Sequence, residues 1–169
     1  MTLLANTIDT PLGPFTAIAD DGVVVTAGFG ADAEHMQQRL DSTRRSQPLT
    51  STDDLGPITA AIRAYFAGDV GAIDTVPVDQ PGGQFRTAAW KAMRAVPAGE
   101  TISYGELAAQ AGSPGAGQAA GSACSQNRIA VIVPCHRIVQ TGGGPGGYYY
   151  GLDIKAWLLA HERGEQTLR

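Results

Sequence analysis

Apolar and polar positions recur with two different periods along the chain. Leu3–Ile8, Phe15–Ala19 and Val23–Phe29 are rich in apolar and β-branched residues, and Pro11-Leu-Gly-Pro14 and Asp20-Asp-Gly22 separate them. Turn chemistry at both joints predicts an antiparallel meander. Ala31–Arg44 reads as a helix and Ser46–Asp54 as a polar loop. In Pro57–Ala67 the apolar residues Ile58, Ala61, Ile62, Tyr65 and Phe66 fall at helical spacing, with Gly68 placed to end the helix. Ile73–Val78 reads as a short strand and Asp79–Gly83 as a linker.

Beyond that linker the pattern turns helical. Gln84–Ala95 gathers Phe85, Ala88, Ala89, Ala92 and Met93 on one side, and Pro97-Ala-Gly99 stops it. Ser103 and Glu106 form a capping-box pair for a helix running to about Ala111. After Gly112-Ser-Pro114, Gly115 to Ser125 reads as another helix that leads into a strand-like apolar run, Ile129–Val133. Two short helices around a tight turn predict a helix-turn-helix. Gly142 to Gly151 is glycine-rich, and Leu152–Arg163 forms a last helix ended by Gly164. The chain has no internal repeat. The expected fold is an α/β N-terminal domain over residues 1–81, with an antiparallel sheet and helices. A mainly α domain over residues 82–169 follows and holds the helix-turn-helix.

Charge sharpens this division. Residues 1–81 hold four Lys/Arg against eleven Asp/Glu, whereas residues 82–169 hold eight against five. The overall net charge of −4 therefore hides a mildly basic second half, which suits a nucleic-acid surface. Hydrophobic residues at 43% and charged residues at 17% fit a globular protein, and no apolar run has the roughly 20 residues of a membrane helix. The first ten residues lack the pattern of a secretory signal. Two cysteines, Cys124 and Cys135, are too few for a disulfide framework, so a reducing, cytoplasmic setting is expected. Dispersed Cys and His residues offer no metal-ligand spacing, and no cofactor is expected.

Pro134-Cys135-His136-Arg137 carries the candidate chemistry. A thiol is nucleophilic as its thiolate, and a proton-accepting neighbour promotes that form. Taken alone, the tetrapeptide also fits a structural cysteine beside a surface histidine. In its wider setting, Ile132-Val-Pro-Cys-His-Arg-Ile-Val139 resembles the active-site signature of the O6-alkylguanine-DNA alkyltransferases, also called methylated-DNA–protein-cysteine methyltransferases. Phe85, Trp90-Lys91, Val96-Pro97 and Gly99-Glu-Thr-Ile-Ser-Tyr104-Gly-Glu-Leu-Ala108 follow the family's order. So do Tyr148, Gly151, Leu152 and Trp157-Leu-Leu-Ala-His-Glu162. In the first half, Thr7-Ile-Asp-Thr-Pro-Leu-Gly-Pro14 looks like the family's opening strand and turn.

The resemblance implies a single-turnover DNA repair protein, acting on O6-alkylguanine and in some cases O4-alkylthymine. Cys135 would accept the alkyl group irreversibly, His136 would draw off its proton through a water, and Glu162 would orient His136. Tyr104 would donate toward guanine N3 as charge develops on the leaving group. Asn127 would brace the turn before the cysteine. Val133, Ile138, Tyr148, Tyr149, Tyr150 and Gly151 would surround the alkylated base. The helix-turn-helix would enter the minor groove of double-stranded DNA and flip the nucleotide out. Ala116, Gly117, Gln118, Ala119, Gly121, Ser103, Arg128 and Arg137 would lie on that DNA. The protein would act as a monomer without membrane contact.

Three departures from the family pattern stand out. Relatives carry Ala-Arg-Ala-Val-Gly on the DNA helix, where this chain has Gly117-Gln-Ala-Ala-Gly121, so Gln118 replaces the arginine that fills the gap left by the base. Arg128 stands where a proline is usual. Tyr149 and Tyr150 replace small residues beside the pocket. Cys124 is expected as a small packed residue, and His161 is expected to point away from the site. A non-catalytic lesion-binding module, a helix-turn-helix regulator and alkyl transfer from a non-duplex substrate are the competing readings.

Overall fold

The computed structural model describes residues 2–165, and the chain divides into two compact units. The first holds the residues up to Pro81 together with Arg128–Ile132, and the second holds Gly82–Asn127 and the residues from Val133 onward. An N-terminal sheet with helices and a helical C-terminal part with a helix-turn-helix are both present, as the sequence predicts.

In the first unit, β1 (Leu3–Thr10), β2 (Gly13–Asp20) and β3 (Val23–Phe29) form the expected meander, with a register shift between Ile18 and Ala19. The predicted helix Ala31–Arg44 is instead two short ones, α1 (Ala33–Gln38) and α2 (Ser42–Arg45). Asp32 caps the first and Asp41 the second, because each carboxylate accepts the backbone N–H three residues on. Leu40 turns into the core between them, with Leu3, Ala5, Ile18 and Val25. The loop expected at Ser46–Asp54 contains β4 (Leu49–Ser51), which adds to β1 in parallel and gives the order β3-β2-β1-β4.

Helix α3 (Pro57–Phe66) is tied to β1 by a buried polar link. Thr59 Oγ1 donates to Asn6 Oδ1 at 2.7 Å, and Asn6 Nδ2 donates to the Thr52 carbonyl at 3.1 Å. The strand predicted at Ile73–Val78 is a 3-10 turn, Ala72–Thr75, after which Val78 makes a single bridge to Val24. Apolar character alone does not separate a strand from a buried turn over so few residues. The strand-like run Ile129–Val133 is a similar correction. Ile129 bridges Ala27, but Val131 then takes φ +70° and Ile132 N–H donates to the Ala130 carbonyl at 2.8 Å. That is a γ-turn of the strained hand, at a β-branched residue.

The second unit is built on α4 (Gln84–Ala95), α5 (Tyr104–Gln110), α6 (Gly117–Ser125) and α7 (Leu152–Glu162). A two-stranded parallel ladder, β5 (Ile102–Ser103) with β6 (Ile138–Val139), brings the start of α5 beside the cysteine segment. The capping box at Ser103 and Glu106 is present, with both hydrogen bonds at 3.1 Å. α6 starts at Gly117 rather than Gly115, because Gly115 adopts φ +86° and cannot join a right-handed helix. Trp90 Nε1 donates to the Ala123 carbonyl at 2.9 Å and fixes α4 against the end of α6. Among the described residues no helix is long and apolar enough to cross a membrane.

Candidate active site

Cys135 is delivered by backbone geometry. Pro134 has φ −84° and ψ 67°, and Cys135 N–H donates back to the Val133 carbonyl at 2.9 Å. This is an inverse γ-turn, whose φ a proline ring already supplies. Asn127 Nδ2 donates to the same Val133 carbonyl at 2.8 Å, so both lone pairs of that oxygen are used. The Asn127 amide also hydrogen-bonds the Cys135 sulfur. Burial pushes the Cys135 thiol up, while that hydrogen bond and the charge of Lys155 work in the opposite direction.

Behind the cysteine lies a buried chain of three side chains. His136 Nε2 lies 2.8 Å from Glu162 Oε2. Arg137 Nε donates to Glu162 Oε1 at 2.9 Å, and Arg137 Nη2 to Oε2 at 2.8 Å. Arg137 Nη1 donates to the Val96 carbonyl at 2.6 Å. Burial opposes ionisation of Glu162, yet hydrogen bonds from His136 and Arg137 hold its carboxyl well below the usual range. Burial also pushes His136 down, against the pull of Glu162. A neutral imidazole beside a carboxylate carries its proton on Nε2. The basic nitrogen is then Nδ1, which is buried without a hydrogen-bond partner among the described residues.

Cys135 opens on a cavity of about 330 Å³ lined by Tyr104, Gly121, Cys124, Ser125, Gly147, Tyr148 and Tyr149. Burial pushes the Tyr104 hydroxyl up and keeps it protonated, while a hydrogen bond from the Gly147 backbone works against that rise. Gly146 passes so close that a Cβ there would lie 2.5 Å from the Tyr104 hydroxyl. Lys155 of α7, 1% exposed, pins this loop. Its Nζ donates to the carbonyls of Ile138 (2.6 Å), Gly147 (3.3 Å) and Pro145. Tyr149 packs edge-on against Tyr150 at 4.9 Å, and Tyr150 lies 5.9 Å from Tyr148.

Several expected placements change. Arg137 does not lie on the surface for DNA: it is 1% exposed, forked onto Glu162. Val133 and Ile138 are buried behind the cavity rather than lining it, with their carbonyls held by Asn127 and Lys155. Tyr150 supports Tyr149 instead of walling the cavity, and Gly151, at φ +104°, opens α7. Gln118 and Ala119 are exposed on α6, with Ala116, Gly117 and Gly121 half-buried. The Ser103 hydroxyl serves as a helix cap. Arg128 belongs to the first unit, where its carbonyl accepts from Thr26 Oγ1 and its N–H donates to Gln80 Oε1. His161 stacks on Trp157, with ring centroids 4.7 Å apart. Cys124 faces the cavity rather than only packing. Lys155 was missed altogether, although it shares a helical face with Leu158 and Glu162, where a lysine is out of place.

A cysteine held beside a buried His–Glu–Arg chain, next to a helix-turn-helix, defines a thiol nucleophile on a DNA-binding scaffold. Known proteins agree. Residues 3–80 match the 6-O-methylguanine DNA methyltransferase ribonuclease-like domain, and residues 84–164 match the DNA binding domain of the same name. A methylated-DNA–protein-cysteine methyltransferase from Shigella flexneri is 39% identical over 96% of both chains. One from Mycobacterium bovis is 40% identical over 94% of this chain and 91% of its own. The crystal structure of Mycobacterium tuberculosis OGT in complex with DNA covers 96% of this chain and 94% of its own, at 36% identity and a TM-score of 0.79. The chain belongs to the 6-O-methylguanine DNA methyltransferase family.

Proposed function

We propose that this protein repairs DNA by moving an alkyl group from O6 of guanine to Cys135, once and irreversibly. The observation that carries the reading is the sulfur of Cys135 on a cavity with the buried His136–Glu162–Arg137 chain behind it. His136 Nδ1 takes the thiol proton through a water, and Glu162 balances the imidazolium that forms. The sulfur displaces the alkyl carbon from guanine, and Tyr104 hydrogen-bonds N3 as charge builds on the leaving base. Asn127 stabilises the thiolate and holds its backbone. No cofactor enters, because the group transferred comes from the lesion.

The substrate is double-stranded DNA, approached by α6 from the minor groove by a monomer, with the nucleotide flipped into the cavity. The N-terminal turn of α6, from half-buried Ala116 and Gly117 to exposed Gln118 and Ala119, carries only small side chains besides Gln118, which supports close approach to the backbone. Intact-protein mass spectrometry after incubation with an O6-methylguanine duplex tests the reading. One methylene equivalent should appear on the protein and not on Cys135→Ser. Tight lesion binding without any mass gain would instead make this a binding module.

Two predictions concern the departures from the family. Gln118 has neither the charge nor the planar guanidinium of arginine. Gln118→Arg should therefore tighten duplex binding by about 1–3 kcal/mol, the scale of one stacking contribution, as read by a gel-shift or fluorescence titration. An unchanged affinity removes the wedge role from this position. Tyr149 lines the cavity and packs edge-on against Tyr150. The wild type should react poorly with an O6-benzylguanine probe, and Tyr149→Ala should react at least tenfold faster, measured as probe-labelled protein against time.

A further inference from the structure

The proposed function uses one thiol, yet two line the cavity. Cys124, in the last turn of α6, faces the same space of about 330 Å³ as Cys135, and both are free thiols. The two lie close enough for ionisation of Cys135 to push the Cys124 thiol up. We propose that Cys124 is a second acceptor for two-carbon adducts bearing a leaving group on the far carbon, such as a 2-haloethyl group. The protein closes such an adduct into an ethylene bridge between Cys135 and Cys124. This rests on Cys135 being the first acceptor.

Each bond can be followed. Cys135 Sγ bonds the near carbon, the carbon–O6 bond breaks, and guanine leaves with the electron pair and takes up a proton. Cys135 is then a thioether, S–CH2–CH2–halogen, with the halogen on the second carbon from sulfur. A lone pair of that sulfur displaces halide and forms a three-membered episulfonium ring. Cys124 Sγ attacks a ring carbon, the strained carbon–sulfur bond opens and returns its pair to Cys135, and the Cys124 proton passes to water. The balance is loss of one hydrogen halide, with nothing oxidised or reduced.

The site favours this course in three ways. A second nucleophile within one cavity acts at high effective concentration against bulk water. An ethylene bridge is longer and more flexible than a direct sulfur–sulfur bond of about 2.0 Å, so it asks less of the backbone. Burial, and then the neighbouring Cys135, hold Cys124 protonated, which keeps it out of the first transfer. Once Cys135 is a neutral thioether, the second of those restraints is gone. A methyl adduct has no second electrophilic carbon, so Cys124 stays silent in ordinary repair.

The test uses a freshly prepared O6-(2-chloroethyl)guanine duplex with the wild type and Cys124→Ser. Arg128 lies between the cysteines, so tryptic digestion separates them unless a bridge joins their peptides. Bridged peptides should make up most of the alkylated wild type, with both thiols blocked. The variant should give hydroxyethyl-Cys135 or a DNA cross-link instead. This product ratio does not depend on how fast either protein reacts. Equal ratios in both proteins, with Cys124 still free in the wild type, overturn the proposal. An O6-methylguanine duplex run in parallel separates the two failures: no methyl on Cys135 removes the underlying function, whereas methyl transfer without a bridge removes only the role of Cys124.

Discussion

Glu162→Gln should cost the protein both its chemistry and a large part of its stability. The carboxylate accepts from His136 at 2.8 Å and from two nitrogens of Arg137 at 2.8 and 2.9 Å, all out of water. Glutamine keeps the shape but leaves a buried guanidinium without its counter-charge. Removing one partner of a buried pair typically costs about 3–5 kcal/mol. The remaining amide oxygen can accept the Nε2 proton of His136 but brings no charge to balance an imidazolium. The expected fall in single-turnover transfer is roughly 10²–10⁴-fold, the usual worth of a general base. Urea unfolding and quenched-flow transfer assays measure the two effects separately. A variant of wild-type stability and rate would remove Glu162 from the mechanism.

The same group sets an acid limit on the fold. Its carboxyl is held below the usual range, so its stabilisation is fully present above the unfolded glutamate value of about 4.3. That stabilisation is lost as the pH falls from there toward the lower folded value. The stability gap between wild type and Glu162→Gln should accordingly be constant at neutral pH and shrink below about pH 4.

How much of this was legible in the chain depends on range. The β1–β3 meander, the capping box at Ser103 and the helices α4 and α7 follow from local signals: turn residues, caps and apolar spacing. The failures lie where tertiary contact overrides pattern. Ala31–Arg44 carries enough helical residues for one helix, but Asp41 caps a second start once Leu40 is drawn into the core. Ile129–Val133 is uniformly apolar because every one of its residues is buried, and uniform burial has no period. The turn at Val131 is invisible locally, because nothing about a valine announces a positive φ.

The site divides in the same way. Cys135, His136 and Glu162 were readable through the family motif, and the structure brings His136 and Glu162 into contact behind the cysteine. Arg137 was misplaced because an arginine beside a DNA-binding segment looks like a phosphate ligand. Only the fold reveals that two of its nitrogens are committed to Glu162 and a third to Val96. The helical offset that puts Lys155 on the face of Leu158 and Glu162 was present in the sequence, but its partners are three carbonyls, which no side-chain pattern encodes.

Those carbonyls make Lys155→Met the second large effect. Methionine matches the length and apolar stem of lysine and removes its three donors. The carbonyls of Ile138, Pro145 and Gly147 then lose their shared partner, at about 1–3 kcal/mol for a buried group left unpaired. Part of this is recovered, because burial already pushes Lys155 down from its usual range and the charge is expensive to keep there. Stability should therefore fall by only about 1–2 kcal/mol. Transfer should fall further, by at least tenfold. The loop that Lys155 pins carries Gly147, which hydrogen-bonds Tyr104, and leads into Tyr148 and Tyr149 on the cavity. The variant also removes a positive charge that favours the Cys135 thiolate. Alkylation of Cys135 by iodoacetamide should accordingly shift to higher pH in Lys155→Met, a change that a purely structural lysine does not produce. Lys155→Arg should keep that charge effect yet fail to restore transfer, since a planar fork does not fit three converging carbonyls. An unshifted iodoacetamide profile would confine Lys155 to holding the loop.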